Sequence, residues 1–113
     1  MITITTHVLD TSLGKPAAGV LVALQAVEPT GVRTLSAATT DADGRVKLWP
    51  GLDDGVAPGS LRLVFATGDY FIATGREAFF PAVTIDFHPA ADDQHYHVPL
   101  LLSPFGYSTY RGS

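Results

Sequence analysis

Four histidines lie at positions 7, 88, 95 and 97. His95 and His97 sit two apart in His-Tyr-His, so on a β-strand they share a face and could hold one metal ion together. With His7 they would make a three-histidine zinc site with an open fourth position. Against this, Arg45 nearby would repel a cation, and no carboxylate is clearly placed to orient a ligating imidazole. The same residues also suit chemistry without a metal. A neutral imidazole takes a proton from water at cellular pH. An arginine such as Arg45 holds a planar, carbonyl-rich substrate by paired hydrogen bonds and stabilises an oxyanion. Two histidines and an arginine therefore fit hydrolysis of an activated amide. Taken alone, surface histidines and arginines are ordinary and do not decide between these readings.

Other chemistries find less support. Ser103, Ser108 and Ser113 lie in no G-x-S-x-G elbow, and no phosphate-cradling glycine loop or dinucleotide fingerprint is present. The acidic pairs Asp53-Asp54 and Asp92-Asp93 fall in loops, where carboxylates are usually solvated rather than paired for glycoside hydrolysis. Cysteine is absent, which removes disulfides, thiolate metal sites and cysteine nucleophiles.

The elements that must position these residues read as strands. Ile2, Ile4 and Val8 alternate with Thr3, Thr5 and His7, the period of a half-buried strand. Further strand signals cover 20–27, 32–39, 46–48, 60–67, 83–87, 96–102 and 105–110. Residues 10–16 and 50–59 are rich in turn formers. In the tight turn 41–44 the aspartates can bond nearby backbone and Gly44 can supply a positive φ. Residues 69–73 predict a short helix. Seven or eight short strands with turns every ten or so residues predict an all-β sandwich of two antiparallel sheets with one short helix, in a single domain spanning 1–113.

Alternation also assigns the faces. Ile2, Ile4 and Val8 point inward, which leaves His7 outside. Val46 and Leu48 point inward, leaving Arg45 and Lys47 outside. Tyr96, Val98, Leu100 and Leu102 point inward, leaving His95, His97 and Leu101 outside. In the last strand Tyr107 and Thr109 share one face, and Ser108 and Tyr110 fall on the other, outside. The outer face thus collects histidines, an arginine, a serine and a tyrosine, and Leu101 there implies contact with another subunit.

Composition narrows the partners. The chain has 113 residues, 46% hydrophobic and 16% charged, with a net charge of −4. An average soluble domain is roughly 25% charged, and disorder needs low hydrophobicity with high charge. No Lys/Arg cluster invites nucleic acid or an acidic membrane, and no apolar run approaches the roughly 18–20 residues of a membrane helix. The N-terminal segment alternates like a strand and has no basic start or apolar core, so the reading is a cytoplasmic protein without a signal peptide.

Three segments carry a family resemblance: THVLDTSLGKPAAG at 6–19, HYHVPLLLSP at 95–104 and YSTYRGS at 107–113. Together they resemble the signatures of the 5-hydroxyisourate hydrolases, transthyretin-like enzymes of urate breakdown. The resemblance runs from end to end, and its closing Tyr-Arg-Gly-Ser is the most specific part, since the hormone-carrying transthyretins lack it.

The resemblance implies a prealbumin-type sandwich, a homotetramer built as a dimer of dimers, and active sites in a channel lined by outer sheet faces. It places His7, Arg45 and His97 in the catalytic positions, with His7 and Arg45 also binding substrate. Tyr110, Arg111, Gly112 and Ser113 would close the pocket. The implied reaction needs no cofactor or metal: water opens the six-membered ring of 5-hydroxyisourate to give 2-oxo-4-hydroxy-4-carboxy-5-ureidoimidazoline, upstream of allantoin. His95 would be secondary and His88 structural or exposed. Two rivals share the histidines or the sandwich: a zinc hydrolase, and a transthyretin-type binding module, against whose open channel Tyr110 speaks.

Overall fold

Alternation along the first strand decides which side chains reach the core. In β1 (Thr3–Asp10), Ile4, Thr6, Val8 and Asp10 are buried, while Thr3, Thr5, His7 and Leu9 face outward. The computed structural model describes all of residues 1–113. After β1 come β2 (Lys15–Pro16), β3 (Leu21–Glu28), β4 (Gly31–Thr39), β5 (Arg45–Val46), β6 (Leu61–Phe65), α1 (Thr67–Ala73), β7 (Val83–Phe87), β8 (His95–Ser103) and β9 (Gly106–Thr109). Seven of these strands have four residues or more, and β2 and β5 add two-residue ladders. The sequence-predicted helix is present and starts two residues earlier than expected, at Thr67.

One sheet has the order β2-β1-β8-β9, with β5 also on β1; the other has the order β4-β3-β6-β7. Neighbours run antiparallel, except that β8 lies parallel to β1. β8 rejoins the first sheet only after the chain has built the whole second sheet, so its direction is not set by a hairpin. Twenty-one buried hydrophobic residues fill the space between the sheets, with Leu24, Leu63, Phe65, Phe71 and Leu100 among the most enclosed. Each such side chain contributes about 1.5–3 kcal/mol on burial. No helix is long and apolar enough to cross a membrane.

Two expectations need correction. Leu48 does not point inward: it is 83% exposed. β5 ends at Val46, so strand alternation stops there, and Trp49 turns inward instead, its indole N–H donating to the Ile4 carbonyl at 2.9 Å. Nor does the last strand reach residue 110; it ends at Thr109. The register Leu100↔Thr109 would next set Tyr110 against Pro99, which has no N–H to continue the ladder.

Candidate active site

The outer face of the first sheet is assembled by register. β1 and β8 pair Thr3 with His95, Thr5 with His97, His7 with Pro99 and Leu9 with Leu101. Residues paired in this way share a face, so both histidines of His-Tyr-His stand beside β1's outward threonines. On the other side of β1, Arg45 pairs with His7. The Val8 N–H donates to the Gly44 carbonyl at 2.7 Å, which makes His7/Arg45 a non-hydrogen-bonded pair. At such pairs the Cα atoms are about 4.5 Å apart and the side chains lie closest.

The turn before Arg45 is fixed by its own residues. Asp41 Oδ1 accepts the N–H groups of Asp43 and Arg45 at 2.9 and 3.0 Å. Gly44 has φ +76°, and a Cβ there would collide with the Val8 carbonyl oxygen. The turn therefore packs against β1 only with glycine at this position, and Arg45 emerges opposite His7. Its guanidinium has no carboxylate partner.

His97 is half-buried, and its Nδ1 lies 2.8 Å from Thr5 Oγ1. Burial, reinforced by the charges of Arg45, His7 and His95, holds its imidazole below the ordinary histidine value. A ring so placed stays neutral at cellular pH, as an acceptor of protons must. His95 is more exposed. Its Nδ1 lies 2.7 Å from Thr3 Oγ1 and its Nε2 lies 3.0 Å from Thr5 Oγ1. No three His, Cys, Asp or Glu side chains gather as a ligand set.

The last residues meet this face through the backbone. The Gly112 N–H donates to the His97 carbonyl at 2.8 Å, and a Cβ on Gly112 would fall 2.6 Å from His97 Cδ2. Arg111 lies over the Tyr96 ring, 4.9 Å from its centre. Tyr110, 57% exposed, helps line a cleft of about 320 Å³ between β7 and this segment. Within the chain, none of Tyr110, Arg111 and Ser113 hydrogen-bonds the side chains of His7, Arg45 or His97. His88, bonded to Ser60 at the end of the other sheet, lines that same cleft with Tyr110, Arg111 and His97 rather than the outer face that carries His7 and Arg45. The structure thus brings His7, Arg45, His95 and His97 onto one face, with Gly112 against His97.

Sequence reasoning missed Thr3 and Thr5, although their parity with His7 was readable. It also missed a buried cluster at the far end of β1. Asp10 is fully buried there and accepts from Arg76 at 2.6 Å, Tyr70 at 2.7 Å and Ser12 at 2.8 Å. This cluster ties α1 and the segment after it to the strand that carries His7.

The HIUase/Transthyretin family matches residues 4–112. The chain belongs to this family. It is 50% identical to a 5-hydroxyisourate hydrolase of Caulobacter vibrioides over 114 residues, covering 97% of each chain. Among solved structures it is similar to Klebsiella pneumoniae 5-hydroxyisourate hydrolase, with a TM-score of 0.86 and 40% identity, covering 100% of this chain and 94% of that one. Sea bream transthyretin in complex with thyroxine has the same TM-score, 0.86, at 26% identity, covering 96% of this chain and 93% of that one. The sandwich is therefore common to both branches of the family, and sequence similarity is greater to the hydrolases.

Proposed function

We propose that the protein hydrolyses 5-hydroxyisourate to 2-oxo-4-hydroxy-4-carboxy-5-ureidoimidazoline, a metal-free step from urate towards allantoin, as a cytoplasmic homotetramer. The observation that carries this reading is the convergence of His7, Arg45 and His97 on one outer face, with His97 held neutral.

His97 Nε2 takes a proton from water, and the water oxygen attacks the ring amide carbonyl. His7 orients that water from the neighbouring strand. Arg45, free of any carboxylate, binds substrate oxygens and stabilises the charge that develops on the carbonyl oxygen; one such donor is worth about 10²–10³ in rate. When the C–N bond breaks, the proton held on His97 passes to the departing nitrogen. Tyr110, Arg111, Gly112 and Ser113 close the pocket around the substrate. The half-buried Leu101 beside Leu9 gives the outer face an apolar patch for the subunit that completes the channel.

Adding the purified protein to freshly generated 5-hydroxyisourate and following its ultraviolet absorbance tests the reading. The expected result is decay faster than the spontaneous reaction; identical curves with and without protein overturn it.

A further inference from the structure

We infer that Thr5 and His95 act as positioning residues that carry the positive charge away from His97 during catalysis, through a hydrogen-bonded chain running from His97 Nδ1 through Thr5 Oγ1 to His95 Nε2. This rests on the hydrolase reading and deepens it.

Thr5 Oγ1 stands between two imidazoles, 2.8 Å from His97 Nδ1 and 3.0 Å from His95 Nε2. A hydroxyl has one proton to donate, so it donates to one ring while accepting from the other. The chain therefore has a direction. In one direction His97 Nδ1–H donates to Thr5, Thr5 donates to His95 Nε2, and His95 Nδ1–H donates to Thr3, 2.7 Å away. His97 Nε2 is then a bare lone pair with no partner within the chain. Reversing the two links to Thr5 needs only one proton moved along each.

The charges around the two rings differ. His97 is half-buried and faces the Arg45 guanidinium, His7 and His95, with Gly112 packed on its edge. A cation there is opposed by burial and by its neighbours. His95 is the less buried of the two, and a cation is opposed less where burial is less.

Proton transfers along this chain balance over one turnover. When water adds to the carbonyl, its proton goes to His97 Nε2 and its oxygen forms the new C–O bond. The His97 Nδ1 proton moves to Thr5 Oγ1 as the Thr5 proton moves to His95 Nε2. His97 is now neutral with a proton on Nε2, and His95 carries the charge. As the C–N bond breaks, the Nε2 proton goes to the departing nitrogen, Thr5 returns a proton to His97 Nδ1, and His95 returns one to Thr5. The carboxylic acid formed loses its own proton to solvent, and the chain is reset.

The test combines Thr5→Val, Thr5→Ser and His95→Asn with rates measured in mixtures of light and heavy water. For the wild type we expect a bowed dependence on deuterium content, since several protons move together. Thr5→Val and His95→Asn should each lower kcat by about 10-fold to 100-fold with KM little changed, a fraction of full acid–base catalysis. Both should give a straight dependence, and the double variant should be no slower than the slower single one. Thr5→Ser should recover the bowed dependence and most of the rate. In the free protein, ¹⁵N shifts of the His97 ring should report a changed tautomer ratio in Thr5→Val. A His95→Asn protein with wild-type kcat and a bowed dependence overturns the relay, as does an unchanged His97 tautomer ratio in Thr5→Val. A wild-type protein without hydrolase activity overturns instead the reading on which the relay rests.

Discussion

His7 and Arg45 stand directly opposite each other where β1 meets β5, at a pair flanked rather than joined by backbone hydrogen bonds. The guanidinium is thereby held within electrostatic reach of His97 on the far side of β1. Arg45 then has two effects. It offers donors to a developing oxyanion, and its charge keeps a proton off the base.

The two effects separate in Arg45→Gln. Turnover should fall by about 10²–10³, the cost of one oxyanion donor. Removing the charge should also let the His97 imidazole rise towards its ordinary value. The acid limb of kcat/KM should therefore move to higher pH, because the base becomes protonated sooner as pH falls. An NMR titration of His97 alongside the pH–rate profile checks this; an acid limb that stays in place refutes the coupling.

Activity should also survive metal removal. Both ring nitrogens of His95 and Nδ1 of His97 already face threonine hydroxyls. Dialysis against a chelator should leave the rate unchanged, and elemental analysis should find less than stoichiometric metal. Stoichiometric zinc whose loss abolishes turnover would favour the three-histidine metal reading.

What the sequence revealed and what it hid follow from the range of each interaction. Side-chain parity is a local property, so alternation alone places His7, Arg45, His95 and His97 on the outer face. Leu48 failed because parity holds only while a strand lasts, and the ladder on β1 stops at Val46. Tyr110 fell outside its expected strand because its partner position across the sheet is a proline, which no local pattern around residue 110 reveals. Asp10 lay in a recognisable motif, yet its partners Tyr70 and Arg76 are 60 and 66 residues away. The family resemblance pointed to the closing segment, but only the backbone hydrogen bond from Gly112 to His97 shows the two in contact.

That contact yields a further expectation. In Gly112→Ala the new methyl would meet His97 Cδ2 at 2.6 Å, so the ring or the backbone must shift. A misplacement of this order at a reacting group costs up to about 10²-fold in rate. Activity should drop sharply while the melting temperature barely moves, because the change lies at a sheet edge outside the core. An Ala variant with full activity would show that the ring can yield without leaving its working position.

The buried end of β1 predicts the acid response of the fold. Burial alone would raise the Asp10 carboxyl, but the hydrogen bonds from Arg76, Tyr70 and Ser12 outweigh it and bring it down to about 2. A carboxylate depressed in the folded state stabilises the protein above its unfolded value, near 3.9, and loses that contribution as pH falls through the folded value. The contribution is about 2 kcal/mol at neutral pH. Asp10→Asn should cost about 3 kcal/mol there, since it also leaves Arg76 without its partner. Urea titrations of both proteins at pH 7, 4 and 2 check the sign. The gap between them should be fully open at pH 7 and shrink from pH 4 to pH 2, where the wild-type carboxyl itself takes up a proton. A gap that stays constant across that range would mean that Asp10 stabilises the fold by shape rather than by charge.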